Sequence, residues 1–258
     1  MHGLILPHGD YDHMGDTLNV IENIKVKKVI FNCGEYNDLE KDLIKALEKK
    51  NIKYYSCIKE LNIDKYKLQF LNTKIYENEN DNSSVIYTEL NNYKFLFMGD
   101  AGVEVEEDLI EKYNLENIDV LKVGHHGSKT SSSKEFIDEI NPKYSIISVG
   151  KNNWFGHLND SVLDNLEESK IYRTDQDGSI MFKINKDKLK IETCPPYKGA
   201  DVNYYNEIKE KLIKIEIYDS AKDYSKDRNK VNVYFETGKL LSEAGGKYRI
   251  IAREYELV

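Results

Sequence analysis

Four side chains able to bind a metal ion fall within six positions near the start of the chain. They are His8, Asp10, Asp12 and His13 in the stretch Leu4–Gly15, L-I-L-P-H-G-D-Y-D-H-M-G. Imidazole and carboxylate are the usual protein donors for first-row divalent ions. The apolar run Leu4–Leu6 reads as a short buried strand, brought to an end by Pro7 and Gly9. Alternate side chains of extended backbone point the same way, so His8, Asp10 and Asp12 can converge. His13 then completes a second pair with Asp12 at the turn into a helix. Such a cluster would hold divalent ions at the lip of a sheet.

Further donors follow downstream. Asp100 ends the strand-like run F-L-F-M-G-D at Phe95–Asp100, beside Gly99 and Gly102. A carboxylate can bridge two cations about 3.5–4 Å apart. Val120–Val123 reads as a buried strand delivering Gly124, His125, His126, Gly127 and Ser128 to the same rim. Adjacent histidines point in different directions, so one is expected to ligate and the other to hydrogen-bond a ligand carboxylate. The Ser/Lys-rich turn Ser128–Lys134 then presents hydroxyls and a helix start, with Ser132 and Glu135 spaced as a capping box. That arrangement predicts an anion cradle. After a strand at Tyr144–Val149, the loop Gly150–His157 offers Lys151, Asn152 and Asn153 to a phosphate and Trp154 as a flat stacking wall. His157 is a metal ligand, a general acid or a donor to a developing oxyanion.

The spacing H-x-D-x-D-H after an apolar strand resembles the signature of the metallo-β-lactamase fold, whose commoner form is H-x-H-x-D-H. The Asp10 variant is similar to the branch that includes the soluble domain of the competence protein ComEC. F-L-F-M-G-D-A at Phe95–Ala101, V-L-K-V-G-H-H-G-S at Val120–Ser128, S-V-G-K-N-N-W-F-G-H at Ser148–His157 and Y-R-T-D-Q-D-G-S-I at Tyr172–Ile180 occur in that family's order. Together they cover about the first three quarters of the chain. The resemblance implies two divalent ions, zinc or manganese, held by His8, Asp10, Asp12, His13, Asp100 and His125. Asp100 would be shared and His126 would stand behind the ligands. Many members carry a histidine near the loop Glu77–Ser84; here the loop matches an N-x-x-S signature instead, with Asn80 and Ser83. It also implies a fold: an α/β, αββα sandwich over residues 1–194, apparently lacking the first strands that normally precede the motif. Such a gap would leave a sheet edge exposed. Residues 195–258, beyond Pro195–Pro196, read as a small α+β extension.

Composition narrows the possibilities. With 258 residues the chain can hold one or two domains with a sizeable core. A formal net charge of -8 argues against a generic polyanion-binding surface, though ions in a site can attract nucleic acid locally. Cys33, Cys57 and Cys194 are odd in number, widely spaced and free of any C-x-x-C pair, so reduced thiols are expected. No run reaches about 18 apolar residues and no signal-peptide pattern is present, which predicts a soluble, cytoplasmic chain.

The elements that must position these groups alternate. Helices are expected over Asp16–Asn23 and Tyr36–Lys50, and strands over Lys28–Phe31, Ile52–Cys57 and Leu68–Leu71. A hairpin is expected from Val85–Leu90 and Tyr93–Met98 over Asn91–Asn92. Helices at Glu104–Tyr113 and Asp160–Leu166 and closing strands at Ile171–Arg173, Ser179–Ile184 and Leu189–Thr193 complete the domain, with Thr174–Gly178 as a turn. In the tail, a helix is expected at Tyr204–Ile215 and strands at Val231–Phe235 and Tyr248–Arg253.

The donor set points to a metal-dependent hydrolase whose ions would supply a hydroxide, with Asp12 orienting that nucleophile, and the competence-type resemblance implies a phosphodiester, DNA or a related one, as its target. Lys151, Asn153 and the Ser128 turn would steady the phosphate oxygens, and a separate membrane channel would be a partner. One alternative is a metallo-hydrolase of small esters, thioesters or lactams. Another is a truncated, non-catalytic remnant or interaction module. Discriminating them requires knowing whether these side chains meet.

Overall fold

The computed structural model describes residues 3–150, 153, 156–185 and 188–194, together with short strands at 218–219 and 248–249. The chain divides into two compact units, 1–196 and 197–258. In the first, β1 (Leu4–Ile5), β2 (Lys28–Phe31) and β3 (Lys53–Ser56) form a parallel sheet in that order. The crossovers are α1 (Tyr11–Met14) with α2 (Thr17–Asn23), and then α3 (Asp38–Lys49). Val29, Ile30 and Phe31 of β2 are all buried, as a central parallel strand requires. Leu43 and Leu47 of α3 share a core with Leu6, Met14, Ile21, Val29 and Phe31.

A second, seven-stranded sheet follows. It runs in chain order through β4 (Glu60–Ile63), β5 (Tyr66–Phe70), β6 (Ile86–Leu90), β7 (Tyr93–Phe97), β8 (Val120–Lys122), β9 (Tyr144–Ile147) and β10 (Lys170–Arg173). The strands β4 to β7 are antiparallel, and β7 to β10 are parallel. Parallel pairing demands crossovers, which α4 (Val103–Lys112), α5 (Lys134–Ile140) and α6 (Asp160–Asn165) supply. Leu96, Leu109, Leu121, Phe136, Ile140, Ile147 and Val162 form its core. Two sheets, each with its own helices, are the layers that the H-x-D-x-D-H resemblance implied. A one-turn helix, α7 (Thr174–Asp177), and the hairpin β11 (Ser179–Asn185) with β12 (Lys188–Cys194) complete the unit. In the second unit β13 (Tyr218–Asp219) pairs with β14 (Tyr248–Arg249). The helix expected at Tyr204–Ile215 and the strand at Val231–Phe235 lie outside the described residues.

Four sequence expectations are corrected. Thr174–Asp177 is helical rather than a plain turn, and Glu60–Ile63 is a strand that alternation alone did not reveal. Ser133, not Ser132, caps α5: its side chain accepts from the Phe136 N–H, and Ser132 sits in the left-handed region at φ 60°. The fourth concerns sulfur. Cys33 and Cys57 are joined in a disulfide, with Cα atoms 4.4 Å apart. Parallel pairing sets Phe31 of β2 opposite Ser56 of β3, so the residues just beyond the two strand ends come together. A separation of 24 residues hides that proximity. Cys194 is free and exposed.

Candidate metal centre

The loop after β1 is clamped between its first two candidate ligands, His8 and Asp10. Asn37 and Glu40 form a reciprocal capping box on α3, each side chain accepting the other's backbone N–H at 3.0 and 2.8 Å. The Asn37 amide also donates to the Gly9 carbonyl at 2.8 Å, and the Gly9 N–H donates to Glu79 Oε1 at 3.2 Å. A Cβ on Gly9 would lie 2.9 Å from the Glu40 carboxyl carbon and press on the Asn37 amide, so a larger residue here would displace the cap. Thus the cap of one helix fixes the motif loop. The spacing Asn37-x-x-Glu40 is a signal for it in the sequence.

His8 and Asp100 form the buried floor. His8 has no exposed surface, and its Nε2 lies 3.5 Å from Asp10 Oδ2 and 3.9 Å from Asp100 Oδ2. Among the described residues, neither His8 Nε2 nor Asp100 Oδ1 has a hydrogen-bond partner. His13 Nε2 approaches Asp100 Oδ1 to 3.1 Å, but off the line that a formed hydrogen bond needs. Buried polar atoms are normally satisfied. Two orphans facing one space, ringed by further donors, fit a cation.

Opposite them lies a four-donor set. Atoms of Asp12, His13, Asp100 and His126 all fall within 4.8 Å of one another. His126 Nε2 is 3.3 Å from Asp12 Oδ2, 3.3 Å from His13 Nε2 and 3.6 Å from Asp100 Oδ2. Its Nδ1 donates to the Ser148 carbonyl at 2.7 Å. A carbonyl can only accept, so Nδ1 carries the proton and the Nε2 lone pair faces the cluster. His125 Nε2 is more distant, 3.9 Å from Asp100 Oδ2, and its Nδ1 is 3.1 Å from Thr130 Oγ1. Both imidazoles reach the centre because both residues are left-handed, at φ 45° and 54°. Such a pair is costly outside glycine. The expectation that tandem histidines diverge assumed ordinary backbone, and the cluster gathers around His126 rather than His125.

Charges follow this geometry. Burial alone would raise the Asp100 carboxyl, but His13 beside it, with His126 and His8, holds it down to about 2. Burial lowers His8, and the neighbouring His13 adds to that. Burial also opposes protonation of His13, but Asp100 and Asp12 outweigh it and raise the imidazole. Lys122, just before the tandem histidines, is lowered by burial.

The remaining candidate residues divide. His157 reaches the centre, its ring 5.5 Å from His125 and 6.3 Å from His126. Asn153 does not face a ligand with free donors: its amide donates to the Gly150 and His157 carbonyls and accepts from the His157 N–H, closing the loop. Lys151 and Trp154 lie outside the described residues. Ser83 is fully buried between His8 and Asp100, whereas Asn80 belongs to a 3-10 turn and bonds Asn78.

The anion cradle expected at Ser128–Lys134 is already filled. Ser128 Oγ accepts from Thr130, and Ser131 Oγ donates to the Gly124 carbonyl. The backbone N–H groups of Ser132 and Ser133 donate to Glu106, a buried carboxylate reaching across from α4, at 2.5 and 2.9 Å. An internal anion therefore occupies the helix start. Ser148 and Glu106 escaped the sequence reading because their partners, His126 and the Ser132–Ser133 turn, are distant in the chain.

With this arrangement in view, the comparisons are decisive for family. The Metallo-beta-lactamase superfamily profile matches residues 2–151, more than half of the chain, and the chain belongs to that superfamily, whose members are generally hydrolases. It is 30% identical over 213 residues to ComE operon protein 3 of Bacillus subtilis (strain 168), covering 80% of this chain and 27% of that protein. Over 136 residues it is 33% identical to competence protein ComA of Neisseria gonorrhoeae, 50% of this chain and 20% of that one. The chain thus spans about a quarter or less of these relatives' lengths. The metallo-beta-lactamase fold protein YhfI of Bacillus subtilis aligns at 12% identity with a TM-score of 0.44, covering 67% of this chain and 75% of YhfI.

Proposed function

We propose that this chain is a two-metal phosphodiesterase, acting on DNA or a related phosphodiester. The observation that carries the reading is the gathering of seven donor side chains, Asp100 among them, with two buried donor atoms left unpartnered among the described residues. Asp12, His13, Asp100 and His126 would hold one ion, and His8, Asp10 and Asp100 the other; zinc and manganese both suit this donor set. When bound, such ions supply an acidified water and polarise the electrophile. His126 presents its lone pair because Ser148 holds the opposite nitrogen. Asp12 is well exposed, with Oδ2 3.3 Å from His126, and so can orient a nucleophile at the open side of the centre. His157, stacked beside the tandem histidines, is placed to move a proton to a leaving oxygen.

The phosphodiester reading is supported by the names of two relatives, competence protein ComA and recombination protein 2 of Haemophilus influenzae, the latter 36% identical over 118 residues. A separate membrane component delivering DNA belongs to the same proposal. Among the described residues no helix is long and apolar enough to cross a membrane. The Cys33–Cys57 disulfide favours an oxidising compartment over the cytoplasm expected from sequence.

The test is hydrolysis by manganese- or zinc-loaded protein of single-stranded DNA and bis-p-nitrophenyl phosphate, against nitrocefin and thioesters. Cleavage of the phosphodiesters, lost in Asp12→Ala/His13→Ala, is expected. Turnover of nitrocefin or thioesters alone would replace this reading with that of a small-ester or lactam hydrolase.

A further inference from the structure

We propose that Ser83 is a positioning residue for the ion on the His8 side, accepting one hydrogen bond from His8 and one from Asp100 and so aiming both ligands at one place. The inference rests on the two-metal reading above. Ser83 has no exposed surface; its Oγ accepts the Asp100 N–H at 2.9 Å and lies 3.2 Å from His8 Nδ1. A hydroxyl oxygen has two lone pairs and can accept both. With the proton on Nδ1, the His8 Nε2 lone pair faces the space between Asp10 and Asp100, where that atom has no other partner. With the proton on Nε2 instead, His8 could not ligate.

Ser83 is itself held from behind. Its carbonyl accepts from the Asn72 amide at 3.0 Å, and the same amide donates to the Asp81 carbonyl at 2.7 Å. The next residue, Ser84, donates its N–H to the Pro7 carbonyl at 2.8 Å, tying this loop to the residue before His8. Gly99 packs directly on Ser83: at φ 59°, a Cβ there would meet Ser83 Cβ at 2.8 Å. Ser83 faces the Nδ1 side of His8, away from the metal-facing Nε2, so it does not stand in for a missing ligand. The four-donor side is oriented separately, through Ser148 and His126. Losing the hydroxyl should therefore weaken the His8-side ion, which loses support at two ligands, more than the other, which shares only Asp100.

Loss of an outer partner of a ligand typically costs 10–100-fold in metal affinity. The experiment is a manganese titration of the full chain, wild type and Ser83→Ala, by calorimetry and electron paramagnetic resonance, with circular dichroism to confirm folding. Wild type should take two ions and show a spin-coupled pair. Ser83→Ala should change the first affinity least, bind the second ion about 10–100-fold more weakly, and show the six-line spectrum of isolated manganese. A second measurement needs no variant: in zinc-loaded wild type, 15N-detected imidazole spectra should place the His8 proton on Nδ1. Two unchanged affinities in Ser83→Ala, or an unprotonated His8 Nδ1, would overturn the assignment to Ser83. A wild type that takes only one ion would instead overturn the metal-pair reading, and the proposal with it.

Discussion

Replacing each tandem histidine in turn separates ligand from neighbour. His126→Ala removes one of four donors whose atoms lie within 4.8 Å of one another. His125→Ala removes a ring whose Nε2 is 3.9 Å from Asp100 and whose other nitrogen is engaged with Thr130. Because both positions are left-handed, at φ 45° and 54°, the backbone penalty of alanine is shared and cancels in the comparison. Losing an outer partner costs about 10–100-fold in affinity, so losing a direct donor should cost at least ~100-fold. At 1.4 kcal/mol per tenfold that is roughly 2.8 kcal/mol of binding free energy. His125→Ala should cost no more than about tenfold. Calorimetric titration with zinc or manganese reads both, and a denaturant midpoint for each apo-protein shows that the fold persists. A large loss in His125→Ala with a small one in His126→Ala would refute the tautomer argument from the Ser148 carbonyl.

Two further predictions concern the framework around the centre. Cleaving the Cys33–Cys57 bridge, which closes a separation of 24 residues, should lower unfolding free energy by roughly 3–4 kcal/mol by the loop-entropy estimate. Thiol titration should rise from one reactive group per denatured chain to three on reduction, and three before reduction would show that no bridge forms. Glu106 is raised by burial despite its bonds to the Ser132 and Ser133 N–H groups. Its contribution is therefore fully present below the ordinary glutamate value near 4.3 and declines as pH rises through its higher folded value. Glu106→Gln, which leaves one backbone N–H facing an amide donor, should cost about 1–3 kcal/mol at low pH. The gap between wild type and variant, followed by urea midpoints, should narrow toward neutral pH; a gap that widens contradicts the burial argument.

The sequence by itself determined the candidate donor side chains and the elements that carry them. H-x-D-x-D-H after an apolar strand and Asp100 after Phe95–Met98 are local patterns, because a strand ending in a glycine-bounded turn leaves its next polar residues at the sheet rim. Helices such as α3 and α4 were legible for the same reason: their apolar spacing is a property of a few consecutive residues. What only the tertiary structure decided lies between distant segments. The left-handed turn at His125–His126 put both rings in the centre, where ordinary backbone would have parted them. Glu106 filled the helix start that read as an anion cradle, Asn153 used its amide on its own loop, and Cys33 met Cys57 because two parallel strands end side by side. Each outcome depends on which group arrives opposite which, a matter of packing and register that one-dimensional spacing does not encode.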